Sequence, residues 1–147
     1  MSEAVKNVQK RGQPIRNVSI TDITMNYKQP PSAIVSILHR ISGLIIALLL
    51  PFVIWLFDKS LTSEISFDEF RGAFIVGIGF VPAFVVKLVT LVLVWAFLHH
   101  FCAGVRHLYL DITHNTTKEV GRQTAIGAIA VSLVLTVLLG AKLFGLY

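Results

Sequence analysis

Ile41-Ser-Gly-Leu-Ile-Ile-Ala-Leu-Leu-Leu-Pro-Phe-Val-Ile-Trp-Leu-Phe57 is a run of seventeen residues without a single charge. A helix rises about 1.5 Å per residue, so roughly 20 residues cross the hydrocarbon of a bilayer. Extended back to Ser32, the apolar segment is long enough to span with tilt. Pro51 is tolerable inside it, because neighbouring helices absorb the kink. Trp55 sits near its outer end, where aromatic anchors collect. Two further segments, about 82–110 and 124–146, have the same character. Pro82 suits a first helical turn, and Lys87 lies close enough to the end to snorkel outward. Ala128 and Ser132, four apart, would let another helix approach closely.

The composition agrees. Residues of the AVILMFWYC set make up 54% of the 147 residues and charged residues only 14%, against about a quarter in soluble domains. Mean hydropathy is +0.73. Too little polar surface remains to cover a globule, which excludes a soluble enzyme, a disordered tail and a nucleic-acid-binding module. The formal charge of +5 belongs to basic flanks outside the apolar runs. The expected architecture is all-α: an integral membrane bundle of three transmembrane helices. A polar segment, 1–31, precedes a single membrane domain, 32–147, with spans at about 32–57, 82–110 and 124–146.

Residues 1–30 contain five bases and no apolar core, so they do not read as a secretory signal. The lone Cys102 offers no disulfide, iron–sulfur or zinc ligand set and reads as a small buried hydrophobe. Between the first two spans, Asp58–Phe80 holds four acids and two bases. Within it, Ser66-Phe-Asp-Glu-Phe70 resembles a short interfacial helix with Phe67, Phe70 and Phe74 on one side. The N-terminal segment and the loop after the second span carry eight Lys/Arg (Lys6, Lys10, Arg11, Arg16, Lys28, Arg106, Lys118, Arg122). The other side has three, Lys59, Arg71 and Lys142. That asymmetry puts the N-terminus in the cytoplasm and the C-terminus outside.

Ionisable groups inside spans cost a few kcal/mol each and need a reason. Here His39, Arg40, His99, His100, Arg106, His107 and Asp111 collect at the cytoplasmic ends of the first two spans. On the second span, Ala96, His100, Gly104, His107 and Asp111 share a face of small and polar residues. A haem needs an axial imidazole, room for its macrocycle, and cations or donors for its propionates. His100 supplies the first and Gly104 the second. His107 lies about 10 Å further along by helical rise, with Arg106 adding charge at that level. His99 points about 100° away. The third span has no His or Met, so a second axial ligand must come from another chain. On the first span Ser36, Arg40 and Gly43 fall at i, i+4 and i+7, and a hydroxyl with a fixed cation could bind the carbonyls of a quinone. Plainer arrangements use the same residues: neutral histidines bonded to neighbouring helices, and Arg40 snorkelling at the interface.

Ser36-Ile-Leu-His-Arg-Ile-Ser-Gly43 resembles the Ser-x-x-His-Arg-x-[Ser/Thr]-Gly motif that opens the first span of the cytochrome b subunit of succinate dehydrogenase (complex II). His100-Phe-Cys-Ala-Gly-Val-Arg-His-Leu-Tyr-Leu-Asp111 is similar to that family's His-x3-Gly-x-Arg-His-x3-Asp motif in the second span. The doublet His99-His100 departs from the family's usual single His, and the Gly and Arg-His spacing selects His100. The likeness covers roughly residues 30–146.

The resemblance implies one of two anchors holding a flavoprotein and an iron–sulfur subunit to a bacterial inner membrane. Electrons from succinate would pass to ubiquinone, with a haem b between this chain and a second membrane anchor subunit. His100 would be the axial ligand to the haem iron, the other axial His coming from that second anchor. Ser36 and Arg40 fall on quinone-site positions; His39, Arg106 and His107 fall near the haem propionates. No catalytic residue is implied, and the isolated chain is expected to be inactive. A quinol:fumarate reductase anchor is the alternative within the class. Outside it stands a haem-free membrane scaffold or transporter accessory subunit.

Overall fold

The computed structural model describes residues 29–146. Most of the polar segment expected over 1–31 lies outside them. The described chain is all-α apart from one short hairpin: α1 (Pro31–Leu61), α2 (Glu64–Ile75), β1 (Gly77–Ile78), β2 (Val81–Pro82), α3 (Ala83–Thr113) and α4 (Lys118–Leu143). Three of these helices are long and apolar enough to cross a membrane. With 31, 31 and 26 residues they run about 46, 46 and 39 Å, longer than the roughly 30 Å hydrocarbon core, so their ends stand in the polar layers.

Proline opens the first two spans. Pro30 caps α1 with Pro31 in its first turn, and Pro82 caps α3. α1 continues through Pro51 and past Phe57 into Asp58 and Lys59. α3 ends where His114 turns left-handed, with φ of 49°. α4 starts at Lys118, six residues before the expected Thr124, because the Thr117 hydroxyl caps Val120 N–H and Glu119 sits in the first turn.

The helices meet through small residues. α4 buries Ala125, Ala128, Ser132, Thr136 and Gly140, a seam at near-four spacing. α3 answers with Ala96, His99, Ala103 and Arg106, and α1 with Val35 and Ser42. Lipid tails are as apolar as leucine, so close approach of backbones replaces the hydrophobic drive, and the Ala128–Ser132 spacing serves that end. α3 is the central helix, packed on both α1 and α4. Its outward flanks, and most of α1, present large apolar side chains such as Leu48, Phe97 and Leu108. Cys102 is half-buried in a groove between α3 and α4, not in the core.

α2 extends the expected Ser66–Phe70 helix at both ends. Ser63 and Ser66 form a reciprocal capping box, and Phe67, Phe70 and Phe74 form a ring-to-ring ladder with centroids 5.9 and 5.3 Å apart. Glu69 pairs with Lys59 of α1 at 2.6 Å, which ties α2 to the end of the first span. The hairpin β1–β2 follows, Gly77 opposite Pro82. Gly77 holds φ of +117°, and a Cβ there would collide with the Val81 carbonyl. Lys87, one turn into α3, reaches up to the Phe144 ring at 5.8 Å.

Candidate functional site

The basic end of the α1–α3 contact holds three imidazoles in a row. The His39 ring of α1 stacks on His100 of α3 with centroids 4.1 Å apart and planes 19° from parallel. His107, two turns along α3, tilts against the other side of His39 at 5.3 Å. α1 and α3 approach closely here because Gly43 and Gly104 lack side chains. A Cβ on Gly43 would come within 3.0 Å of His100 Cε1, and one on Gly104 within 3.9 Å of His39 Nε2.

His100 is fixed by α1. Its Nδ1 lies 3.0 Å from the His39 carbonyl and 3.3 Å from Ser42 Oγ. A carbonyl only accepts, so Nδ1 carries the proton and donates. The Ser42 hydroxyl is fully buried and donates to the same His39 carbonyl at 2.8 Å. The second ring nitrogen is then Nε2, for which no hydrogen bond is formed among the described residues.

His99 faces the other way. It is 1% exposed, stacks on Trp95 at 5.6 Å, and places Nδ1 3.3 Å from Ser132 Oγ of α4. Ser132 gives its own proton to the Ile129 carbonyl, so His99 Nδ1–H is the donor in that pair. Arg106 turns with His99. Its Nε donates to Thr124 Oγ1 at 3.1 Å and its Nη2 to the Gly121 carbonyl at 3.3 Å. The structure thus brings His39, His100 and His107 together and leaves Arg106 on the α4 side, away from them. Ser36 is half-buried and Arg40 exposed, on a flank of α1 that nothing in the described chain covers. Ser36 lies one turn nearer the N-terminal end of α1 than Arg40.

A sequence model of the succinate dehydrogenase/fumarate reductase transmembrane subunits matches residues 16–139. The chain belongs to this family. It is similar to the "Succinate dehydrogenase cytochrome b556 subunit" of Coxiella burnetii, 33% identical over 111 residues, covering 76% of this chain and 84% of that one. The subunit of the same name from Paracoccus denitrificans is 30% identical over 112 residues, covering 76% and 81%. As a succinate dehydrogenase/fumarate reductase transmembrane subunit, the chain is a multi-pass membrane component of an enzyme complex built with other subunits.

Within this family member the structure gives three residues roles that sequence reading did not assign to them. Ser42 and Gly43 both shape the seat of His100: one shares its acceptor, the other makes room for its ring. Both stand inside the first-span motif as its Ser-Gly pair, which was the available signal. Ser132, read only as a small packing residue, is the partner of His99. No pattern in α4 marks it as such, because a serine four residues from an alanine serves close packing equally well.

Proposed function

We propose that this chain is the haem b-bearing membrane anchor of a succinate:ubiquinone oxidoreductase. With a second membrane anchor it holds a flavoprotein and an iron–sulfur subunit against the cytoplasmic face of a bacterial inner membrane, its N-terminus inside and its C-terminus outside. The observation that carries this reading is the tautomer imposed on His100. A ligating imidazole commonly donates its other ring N–H to a carbonyl, which fixes the ring and raises the basicity of the ligating nitrogen. His100 meets that requirement: Nδ1–H goes to the His39 carbonyl and Nε2 keeps its lone pair. The cytochrome b556 names of both relatives agree with a haem.

A b-type haem bound there supplies a one-electron carrier whose potential is tuned by its axial ligands and their hydrogen bonds. His100 would ligate the iron, Ser42 and the His39 carbonyl orient His100, and Gly43 makes room for its ring. His39 and His107 are the groups that meet the propionates. Arg106, bonded to α4, is left out of that set. The second axial imidazole is assigned to the partner anchor, as α4 has neither His nor Met. Ser36 and Arg40, on the uncovered flank of α1, take the quinone carbonyls. A fumarate reductase anchor would use the same residues in reverse; the dehydrogenase name of both relatives favours the forward direction.

The test is a pair of variants. His100→Leu is expected to remove b-type haem from the purified complex, and His99→Leu to retain most of it, as measured by pyridine haemochrome. Greater or equal loss from His99→Leu would transfer the ligand role to His99. A wild-type complex lacking the b-type α band would leave the haem-free scaffold standing.

A further inference from the structure

Among the described residues Arg106 is a charge without a counter-charge. It is 8% exposed and lies about 10 Å inside the end of α3 by helical rise. Both of its hydrogen-bond partners, the Thr124 hydroxyl and the Gly121 carbonyl, are neutral. The one ion pair among the described residues, Lys59–Glu69, is at the opposite end of the bundle. A buried cation in a membrane is expensive unless an anion meets it.

The surroundings are arranged for an anion. Arg106 lines a cavity of about 430 Å³ that is closed by the start of α1, the end of α3 and the first turns of α4. Lys118 and Arg122 are exposed at its mouth, and the Thr116 and Thr117 hydroxyls and Leu110 complete the wall. Among the described residues no Asp or Glu lines it; Asp111 and Glu119, the nearest acids in sequence, are not among its walls. On its other flank Arg106 lines an open groove, also about 430 Å³, between α3 and α4, with Phe101, Val105 and Val131 as apolar walls. A cationic cavity and an apolar groove that share one buried guanidinium suit an amphiphile with an anionic head. Basic pockets between spans at the Lys/Arg-rich side are general sites for such lipids.

We infer that this cavity binds the phosphate of an anionic membrane phospholipid. Arg106 neutralises the phosphate at depth, Lys118 and Arg122 hold it at the mouth, and an acyl chain follows the α3–α4 groove. The site is separate from the imidazole row and does not depend on a haem.

The experiment uses the intact complex, solubilised in mild detergent and stripped of loose lipid. Native mass spectrometry and thermal shift are read with added phosphatidylglycerol, phosphatidylcholine or inorganic phosphate. Phosphatidylglycerol is expected to bind and stabilise, and the other two to do neither. The double variant Lys118→Gln/Arg122→Gln, both changes on exposed residues, is expected to weaken phosphatidylglycerol binding about tenfold or more. Lys142→Gln, in the last turn of α4, is expected to leave it unchanged. Equal binding of phosphatidylcholine, equal protection by inorganic phosphate, or an unaffected double variant would each overturn the assignment. So would a Lys142→Gln loss as large as that of the double variant, since the attraction would then be diffuse.

Discussion

In the proposed quinone site Ser36 and Arg40 would act through single hydrogen bonds. A guanidinium bonded to a carbonyl in a dry site contributes roughly 1.5–3 kcal/mol, and more as charge develops on that carbonyl during reduction. Arg40→Leu and Ser36→Ala are therefore expected to lower quinone reduction, Arg40→Leu by about tenfold or more, while haem content and succinate oxidation with a soluble dye persist. Parallel assays of both acceptors on membranes carrying each variant decide; quinone and dye rates that fall together make the two residues structural. At this scale the helical wheel carried the imidazoles well. At about 100° per residue it sets His100 and His107 on one face and His99 on another, and the contacts follow. It carried Arg106 too, about 20° from His99 and about 120° from His100. The family motif drew Arg106 toward the propionates, whereas its side chain follows the wheel to α4. What the wheel lacked was Ser42 as co-holder of the His39 carbonyl, because a buried hydroxyl and a solvated one look alike in one dimension.

Among elements, α2 depends most on its cap. It has twelve residues, below the length at which a helix is stable alone, and both hydroxyls of its box satisfy first-turn N–H groups. Ser63→Ala is expected to cost about 1 kcal/mol locally. Hydrogen exchange should read this as roughly fivefold faster opening of the first turn of α2, with the amides of α3 and α4 unchanged. Equal protection in both proteins would mean that the Lys59–Glu69 pair and the phenylalanine ladder hold α2 without its cap. The type and number of the spans were legible, since an uncharged run of sufficient length is a property of a whole segment. Their ends were not, because a helix does not stop where hydrocarbon stops: α1 runs on through Asp58 and Lys59, and α4 begins among Lys118 and Glu119. The β1–β2 hairpin escaped for a different reason. Its signal, Gly77-Ile-Gly79, is three residues wide, and its geometry rests on two positive φ values, at Gly77 and Gly79, that only the folded turn reveals.

The whole molecule is unfinished by itself. α1 buries only Val35 and Ser42 among its own neighbours, and the flank carrying Ser36 and Arg40 faces outward. On the proposed reading the chain gives one imidazole, His100, where a six-coordinate haem takes two. The purified chain without its partners is accordingly expected to show no succinate oxidation with either dye or quinone, and steady-state assays before and after reconstitution would check this. Activity from the single chain would sink the division of labour. The connections between the spans also differ. Only residues 114–117 separate α3 from α4, so these two are joined as a tight helical hairpin. α1 reaches α3 across the whole of α2 and the β-turn, and its contact with α3 rests on the narrow passage between Gly43 and His100. Until that passage closes, His100 has no carbonyl to fix its tautomer. The docking of the first helix is thus the step that commits the imidazole, and a chain in which α1 stands apart from α3 holds a histidine with either nitrogen free to carry the proton.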